Sequence, residues 1–381
     1  MNINGYIRKF GNKQFDEEPF NHVDSLILSE LSYMSLAMVA PDIKDDSDPI
    51  KIKNVKVGYW EAFGGESVDA SKNVTMFKLL QKSRRFRNIS IGKCQTIYDR
   101  KKANQFFAVT FYLPNNVLYI SYRGTDTSIT GWKEDFNMTY MTKIPSQDEA
   151  LEYAREVLSN ESRKFYLGGH SKGGNLSFYT AFNLEEKYEK KLIKAYSFDG
   201  PGFRNIEEYQ ALDSFKRLEN SDKLVKLVTN RSVIGMVFND FKKVKAVVST
   251  GLLFGGHDPF YWQVDSNTGK FKYAKKRSKS SEINEKAFNM WLNSLSEEDK
   301  KLTTQIVFEI TDGVSDIYQL RKEILNTLTV KLNNALKKYS QEEQERLKQI
   351  VNSLGRFYLS SIKHTLNKSQ RESLKKIDKT L

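Results

Sequence analysis

Residues 164–188 read KFYLGGHSKGGNLSFYTAFNLEEKY: a short apolar run, four glycines crowded around one serine, then apolar residues at helical spacing. Lys164–Gly168 has the composition of a buried strand, and Lys172–Lys187 the periodicity of a helix. Ser171 stands between them, with Gly169 two residues before and Gly173 two after, where side chains would clash in so tight a turn. A turn of this kind lifts the serine hydroxyl above the end of the strand. The helix N-terminus beneath it favours negative charge developing there.

The same alternation extends outward. Upstream, NQFFAVTFYLP, a Pro114-Asn115-Asn116 turn and NVLYISYRG predict two strands in a hairpin-like arrangement, followed by helices near Gly131–Met138 and through QDEALEYAREVL. Downstream, the pattern predicts a strand at Ala195–Phe198, a helix at Ile206–Leu218, and strands at Leu224–Thr229 and Val244–Thr250. Strands alternating with helices of this length imply crossover connections, hence an α/β fold with a mostly parallel central sheet flanked by helices. Nearer the start, NHVDSLILSELSYMSLAMVAP from Asn21 predicts an amphipathic helix with Asp24 near its start and Pro41 just past its end, and Ser71–Gln81 predicts a second. Beyond Ser281 only helical patterns remain. The expected organisation is an N-terminal tail over 1–20, an α/β domain over 21–284 and a C-terminal helical extension over 285–381.

Composition narrows the class. Hydrophobic residues make up 39% and aromatic residues 12% of the 381, which supports a sizeable core and excludes collagen-like and wholly disordered chains. The net charge of +13 is spread along the chain and interleaved with acids, and no groove-reading motif accompanies it, so nucleic acid is not an expected partner. The single cysteine, Cys94, excludes an internal disulfide. MNINGYIRKFGNKQFDEEPF lacks an apolar signal core, and no stretch approaches 18 apolar residues; the expectation is a cytoplasmic protein, or one exported by a route that needs no signal peptide. Four scattered histidines form no ligand-spaced cluster, and neither a P-loop nor G-x-G-x-x-G follows a suitable strand, so neither metal nor cofactor is expected.

G-x-S-x-G between a strand and a helix is the nucleophile elbow of α/β-hydrolases. A serine hydroxyl needs a base, and the chain offers His22, His170, His257 and His364. His22 opens the first helix, His364 lies in the tail, and His170 precedes Ser171 with its side chain expected to point away from the hydroxyl. His257 remains, in LLFGGHDPFYW after the last strand of the alternating series. The acid that orients it belongs at a strand end between the two. Asp199 in SFDGPGF comes first and Asp240 after VIGMVF is the alternative; Asp222 precedes a strand, and Asp258 is too close in sequence to His257. Oxyanion donors are expected from the Lys172 N–H and from Thr125 in YISYRGTDTSITGW, through its N–H and hydroxyl, with Arg123 and Asp135 either ion-paired across that loop or solvated.

Tyr-Arg-Gly-Thr at 122–125, Trp132, Asp135 and Gly-His-Ser-Lys-Gly-Gly at 169–174 resemble the class-three lipase family. Phe198-Asp199-Gly200-Pro201-Gly202-Phe203 and His257-Asp258-Pro259-Phe260-x-Trp262 are more similar still to a bacterial lipase-like branch known as a domain of unknown function. The resemblance spans about residues 21–312 and implies an α/β-hydrolase with Ser171 as nucleophile, His257 as base, and Thr125 and Lys172 in the oxyanion hole. One departure matters: where that family carries its acid, Val228-Thr229-Asn230-Arg231-Ser232-Val233 has no carboxylate. Either Asp199 takes the role from a neighbouring strand or the triad is incomplete.

The leading expectation is a serine hydrolase that cleaves small-molecule or lipid carboxylic esters through an acyl-enzyme on Ser171. A toxin or effector directed at membrane phospholipid is one alternative, and a weak or inactive pseudo-hydrolase acting as a binding protein is the other. Lys275, Lys276, Arg277 and Lys279 in the Lys270–Lys279 patch either touch an anionic membrane surface transiently or form a solvated hairpin end. LLFGG and VIGMVF either line an acyl pocket or pack as buried strands. The tail helices with Trp291, Phe308 and Tyr318 either cover the site, dock on the sheet or join a second chain, and the sequence assigns no oligomeric state.

Overall fold

Eight strands lie side by side in sequence order: β1 (Ile50–Lys51), β2 (Ser90–Asp99), β3 (Asn104–Leu113), β4 (Val117–Tyr122), β5 (Phe165–His170), β6 (Leu192–Phe198), β7 (Leu224–Thr229) and β8 (Val244–Val247). This computed structural model describes residues 1–65, 70–251, 253–311, 330–331 and 333–365. β1 to β4 pair antiparallel and β4 to β8 parallel. Short turns join β2 to β3 and β3 to β4, a connection only antiparallel neighbours can use, whereas the parallel strands need longer crossovers. Its topology, with a sharp β5 turn into a helix, is that of an α/β-hydrolase.

The sheet separates two cores, and strand periodicity assigns residues to them. Phe107, Val109 and Tyr119 pack on one face with helices α1 (Ile3–Phe10), α2 (His22–Leu31), α3 (Trp60–Phe63) and α4 (Ala70–Lys82). Phe106, Ala108, Leu118 and Ile120 pack on the other. That second face is covered by α6 (Pro145–Leu158), α7 (Lys172–Asn183), α9 (Ile206–Ala211) and α10 (Asp213–Asn220). Helix α5 (Ile129–Asn137) leads from β4 towards α6, and the short α8 (Glu186–Glu189) follows α7.

Several segments differ from the sequence expectation. The first twenty residues, read as a tail, carry α1, whose Ile3, Tyr6 and Ile7 are buried in the first core. Here too Arg85 grips Asp24 bidentately, Nε to Oδ1 at 2.8 Å and Nη2 to Oδ2 at 2.5 Å, while the Tyr6 hydroxyl donates to Asp24 at 2.9 Å. The helix expected from Asn21 ends at Leu31, and a short 3-10 turn follows at Leu36–Met38. Strand β2 was not foreseen; it bulges between Gly92 and Gln95, with Lys93 at φ 55°. The expected helix at Ile206–Leu218 breaks at Leu212. VIGMVF forms a 3-10 turn at Ile234–Met236 rather than a strand.

After β8 the chain returns through isolated antiparallel bridges, Ser249 with Trp262, Val264 with Phe271 and Val247 with Tyr273. The Lys270–Lys279 patch begins on this hairpin, and its Arg277 turns inward to Glu285 at 2.6 Å and to the Ser232 carbonyl at 3.0 Å. Helix α11 (Lys279–Ser294) starts ahead of residue 285, and α12 (Glu297–Ile310) opens on a Ser296–Asp299 capping box. Helix α13 (Gln341–Thr365) packs on α11, where the Trp291 indole N–H donates to the Ile350 carbonyl at 3.1 Å. Phe308 of α12 meets Phe136 of α5 edge-on, ring centroids 5.7 Å apart. Tyr318 and most of the helix read through 316–339 lie outside the described residues. No helix among the described residues is long and apolar enough to cross a membrane.

Candidate active site

Strand β5 ends at His170, and Ser171 then turns the chain into α7 with φ 56° and ψ −130°, a conformation that costs about 1–3 kcal/mol for a non-glycine residue. The glycines make this turn possible by close approach. A Cβ on Gly173 would lie 2.1 Å from the Tyr122 carbonyl oxygen, and one on Gly169 would lie 2.3 Å from the Gly173 carbonyl carbon. The Ser171 N–H donates to the Phe198 carbonyl of β6 at 2.9 Å, and its side chain makes no helix-capping bond.

One strand over, Asp199 follows β6 with φ 50°, a left-handed conformation that aspartate tolerates better than most residues. Its N–H donates to the Leu227 carbonyl at 2.7 Å, and its carboxylate is fully buried. Asp199 Oδ2 lies 2.7 Å from His257 Nδ1. Behind it the buried Lys226 ammonium donates to the Gly200 carbonyl at 2.7 Å, fixing the backbone that follows the aspartate. The other candidate acids lie elsewhere. Asp240 is exposed, Asp222 pairs with Lys243 at the surface, and Asp258 caps the turn Pro259–Tyr261 while meeting Lys72 at 3.1 Å. At the strand end where class-three lipases carry their acid, the Asn230 side chain accepts from the Ser249 N–H at 2.9 Å.

His170 has a different task from the base. Its Nε2 lies 3.0 Å from the His257 carbonyl oxygen and its Nδ1 3.1 Å from the Tyr33 hydroxyl. Because a carbonyl only accepts, Nε2 carries the proton and Nδ1 accepts from Tyr33. Burial holds the ring well below the usual histidine pKa, so this neutral tautomer pins the His257 loop to the elbow. His22 is separate from both: it packs edge-on against Tyr196 at 5.6 Å in the first core, where burial pushes its pKa down to about 4. His364 lies in the last turns of α13.

Thr125 and Lys172 flank the elbow, although not quite as expected. The Thr125 hydroxyl donates to Asp135 Oδ2 at 2.6 Å, and among the described residues its main-chain N–H has no hydrogen-bond partner. Of the two alternatives for Arg123 and Asp135, ion-paired or solvated, the pair does not form. Arg123 instead meets Asp126 at 3.5 Å and lies over the Phe107 ring, and Asp135, raised to about 6 by burial, serves Thr125. The Lys172 N–H is one of the first amides of α7, which have no partner within the helix. Its ammonium is buried against Glu134 Oε2 at 2.5 Å and the Gln105 carbonyl at 2.6 Å, tying α7 to α5 and β3. Glu134, Gln105, Tyr33 and Glu30 were not foreseen; the signal nearest to them was two adjacent acids, Glu134 and Asp135, in a short helix next to the R-G-T loop.

Ser171, His257, Thr125 and Lys172 all line one cavity of about 680 Å³. Its walls are largely apolar: Phe136 and Met138 after β4, Ile234, Val237 and Phe238 of VIGMVF, and Phe260 beside His257. Phe288, Trp291 and Leu292 of α11, with Thr303 and Thr304 of α12, line it too, so the C-terminal helices border the site itself. Among the LLFGG residues, Gly255 lines the cavity and Leu252 lies outside the described residues.

The Mbeg1-like family model matches residues 80–309. No curated protein matches the chain. Among solved structures it is similar to one described as the crystal structure of M37 lipase, at 17% identity and a TM-score of 0.35, over 56% of this chain and 68% of that one. With the family model covering more than half of its length, from β2 through the elbow and the His257 loop to α12, the chain belongs to the Mbeg1-like family of lipase-like domains.

Proposed function

We propose that the protein hydrolyses carboxylic esters of lipid type through an acyl-enzyme on Ser171. The observation that carries this reading is the 2.7 Å contact between Asp199 and His257 Nδ1, in a loop whose histidine lines the same cavity as a serine set at a strained elbow. With Nδ1 held by the carboxylate, Nε2 is the nitrogen left to take the serine proton. Ser171 Oγ then bonds to the ester carbonyl carbon, and the amides of Lys172 and Thr125 receive the charge on its oxygen. Collapse breaks the bond to the alcohol oxygen, which takes the proton from His257. Water, deprotonated by the same imidazole, releases the acid and restores Ser171. The apolar walls suit an acyl chain, and about 680 Å³ lies within the usual range for small-molecule sites. Membership of a lipase-like family supports hydrolase chemistry at that coarser level.

Turnover of p-nitrophenyl esters across acyl lengths tests the reading. We expect activity that favours longer chains, falls to background in Ser171→Ala and His257→Ala, and falls about 10⁴-fold in kcat in Asp199→Asn, where the imidazole tautomer is no longer fixed. A wild-type protein that turns over no ester of any length would remove the proposal and leave a binding protein on a hydrolase fold.

A further inference from the structure

Among the described residues six other than glycine hold a positive φ, and five of them have an evident reason. Lys93 sits at the β2 bulge, Ala103 and Asn116 lie in the turns on either side of β3, and Ser171 and Asp199 belong to the triad proposed above. Phe238, at φ 51°, is the sixth. Glycine and asparagine enter this left-handed region readily, whereas a bulky side chain there is a rare exception, and such exceptions gather at functional sites. Its neighbours hold it in place. The Gly202 N–H donates to the Val237 carbonyl at 2.8 Å, a Cβ on Gly202 would lie 1.8 Å from the Phe238 carbonyl oxygen, and Asn289 of α11 donates to the Met236 carbonyl at 3.3 Å. Phe238 thus stands between the loop that follows Asp199 and α11, on the wall of the cavity that Ser171 lines. Phe136, Met138, Ile234, Val237 and Phe260, on the same wall, carry no such strain.

We infer that Phe238 sets the size of ester this cavity admits, closing it between the loop after Asp199 and α11. This rests on the hydrolase reading above. Packing alone does not call for the arrangement. Phe238 is only half-buried, so its ring gains less there than it would in either core, while its backbone is held at a cost that glycine or asparagine would not incur. What the ring adds is bulk at the edge of the ligand space. Because the segment is pinned on both sides of Phe238, the wall does not yield to a longer chain as a loose loop would. A phenyl ring carries no charge and no hydrogen-bonding group of its own, so it sorts ligands by length and girth.

The test uses two series, p-nitrophenyl esters of lengthening acids and alkyl esters of one acid with lengthening alcohols. Wild-type kcat/KM should drop beyond a certain length in the one series whose chain runs past Phe238. In Phe238→Gly the ratio of the longest to the shortest member of that series should rise about tenfold, the scale on which an apolar pocket discriminates by size, and the ratio in the other series should stay as it is. Phe238→Asn should show the same rise. It should also unfold at a higher urea midpoint than Phe238→Ala, which removes the ring without relieving the backbone. A wild type without a length limit, ratios that neither the Gly nor the Asn variant moves, ratios that move alike in both series, or an Ala variant as stable as the Asn variant would each overturn the proposal. The wild-type limit and the Asn variant decide even where Phe238→Gly does not fold. Fluorophosphonate labelling of Ser171 run in parallel separates the two failures: labelling with unchanged ratios removes the size limit alone, and no labelling with no turnover removes the hydrolase reading and the size limit together.

Discussion

Lys226 shows how much charge this site tolerates below its surface. Its ammonium is buried beneath the turn that carries Asp199, faces the Phe241 ring at 5.0 Å, and has its pKa pushed by desolvation from 10.5 down to about 7, with Asp199 pulling the other way. Between about pH 7 and 10.5 the unfolded chain therefore binds the proton that the folded chain has released, and stability rises with pH through this window. Below pH 7 both states are protonated and the full penalty of the buried charge is present. We expect Lys226→Met to gain stability relative to wild type at pH 6 and to lose part of that advantage by pH 9, read from urea midpoints. A difference that does not change with pH would mean that the lysine is not depressed. Individual site residues were legible for unequal reasons. Four histidines and a fixed chain order brought His257 forward by elimination, and its place at the end of the first strand after the elbow helix brought Asp199 forward. Glu30 and Tyr33 were hidden, because a helix with apolar periodicity gives no sign that one polar member faces a cavity instead of solvent.

At the scale of elements, the strand-turn-helix from Phe165 to Asn183 carries the arrangement, and Gly173 is where it comes closest to the backbone of another strand. Inside a helix, Gly→Ala ordinarily stabilises by about 0.5–1 kcal/mol. Here the added Cβ would stand 2.1 Å from the Tyr122 carbonyl oxygen and 2.9 Å from its carbon, backbone atoms of a central strand that cannot move aside. Overpacking of this kind costs about 1–3 kcal/mol, so the clash wins over propensity. Gly173→Ala should lower the urea midpoint and slow ester turnover; a midpoint equal to or above wild type would show that the elbow has more room than described. Strands β3, β5, β6 and β7 and helix α7 were legible because each is a strongly periodic run bounded by turn residues. Strand β2 was not, because Lys93 breaks its alternation at the bulge that turns Cys94 inward. VIGMVF left two readings open, because a short apolar run fits a buried strand as well as a cavity wall, and it forms the wall.

For the whole molecule, two layers of helix on an eight-stranded sheet put Ser171, Asp199 and the His257 loop at one end, where neighbouring parallel strands β5 and β6 finish. The fold class followed from alternation alone, whereas the places of the chain ends did not. Helix α1 covers the first core although its eight residues, INGYIRKF, carry too little pattern to stand out, and α11 and α12 border the cavity through residues that any amphipathic helix would bury. Enclosure by segments distant in sequence is the property that local periodicity does not encode. The proposed chemistry stands on Ser171 being an activated nucleophile. Its most direct test is the intact mass of the full chain after incubation with a fluorophosphonate. It predicts one adduct per chain on wild type, none on Ser171→Ala, and much slower labelling of His257→Ala. Wild-type protein that stays unmodified, or carries its adduct on another residue, would contradict it.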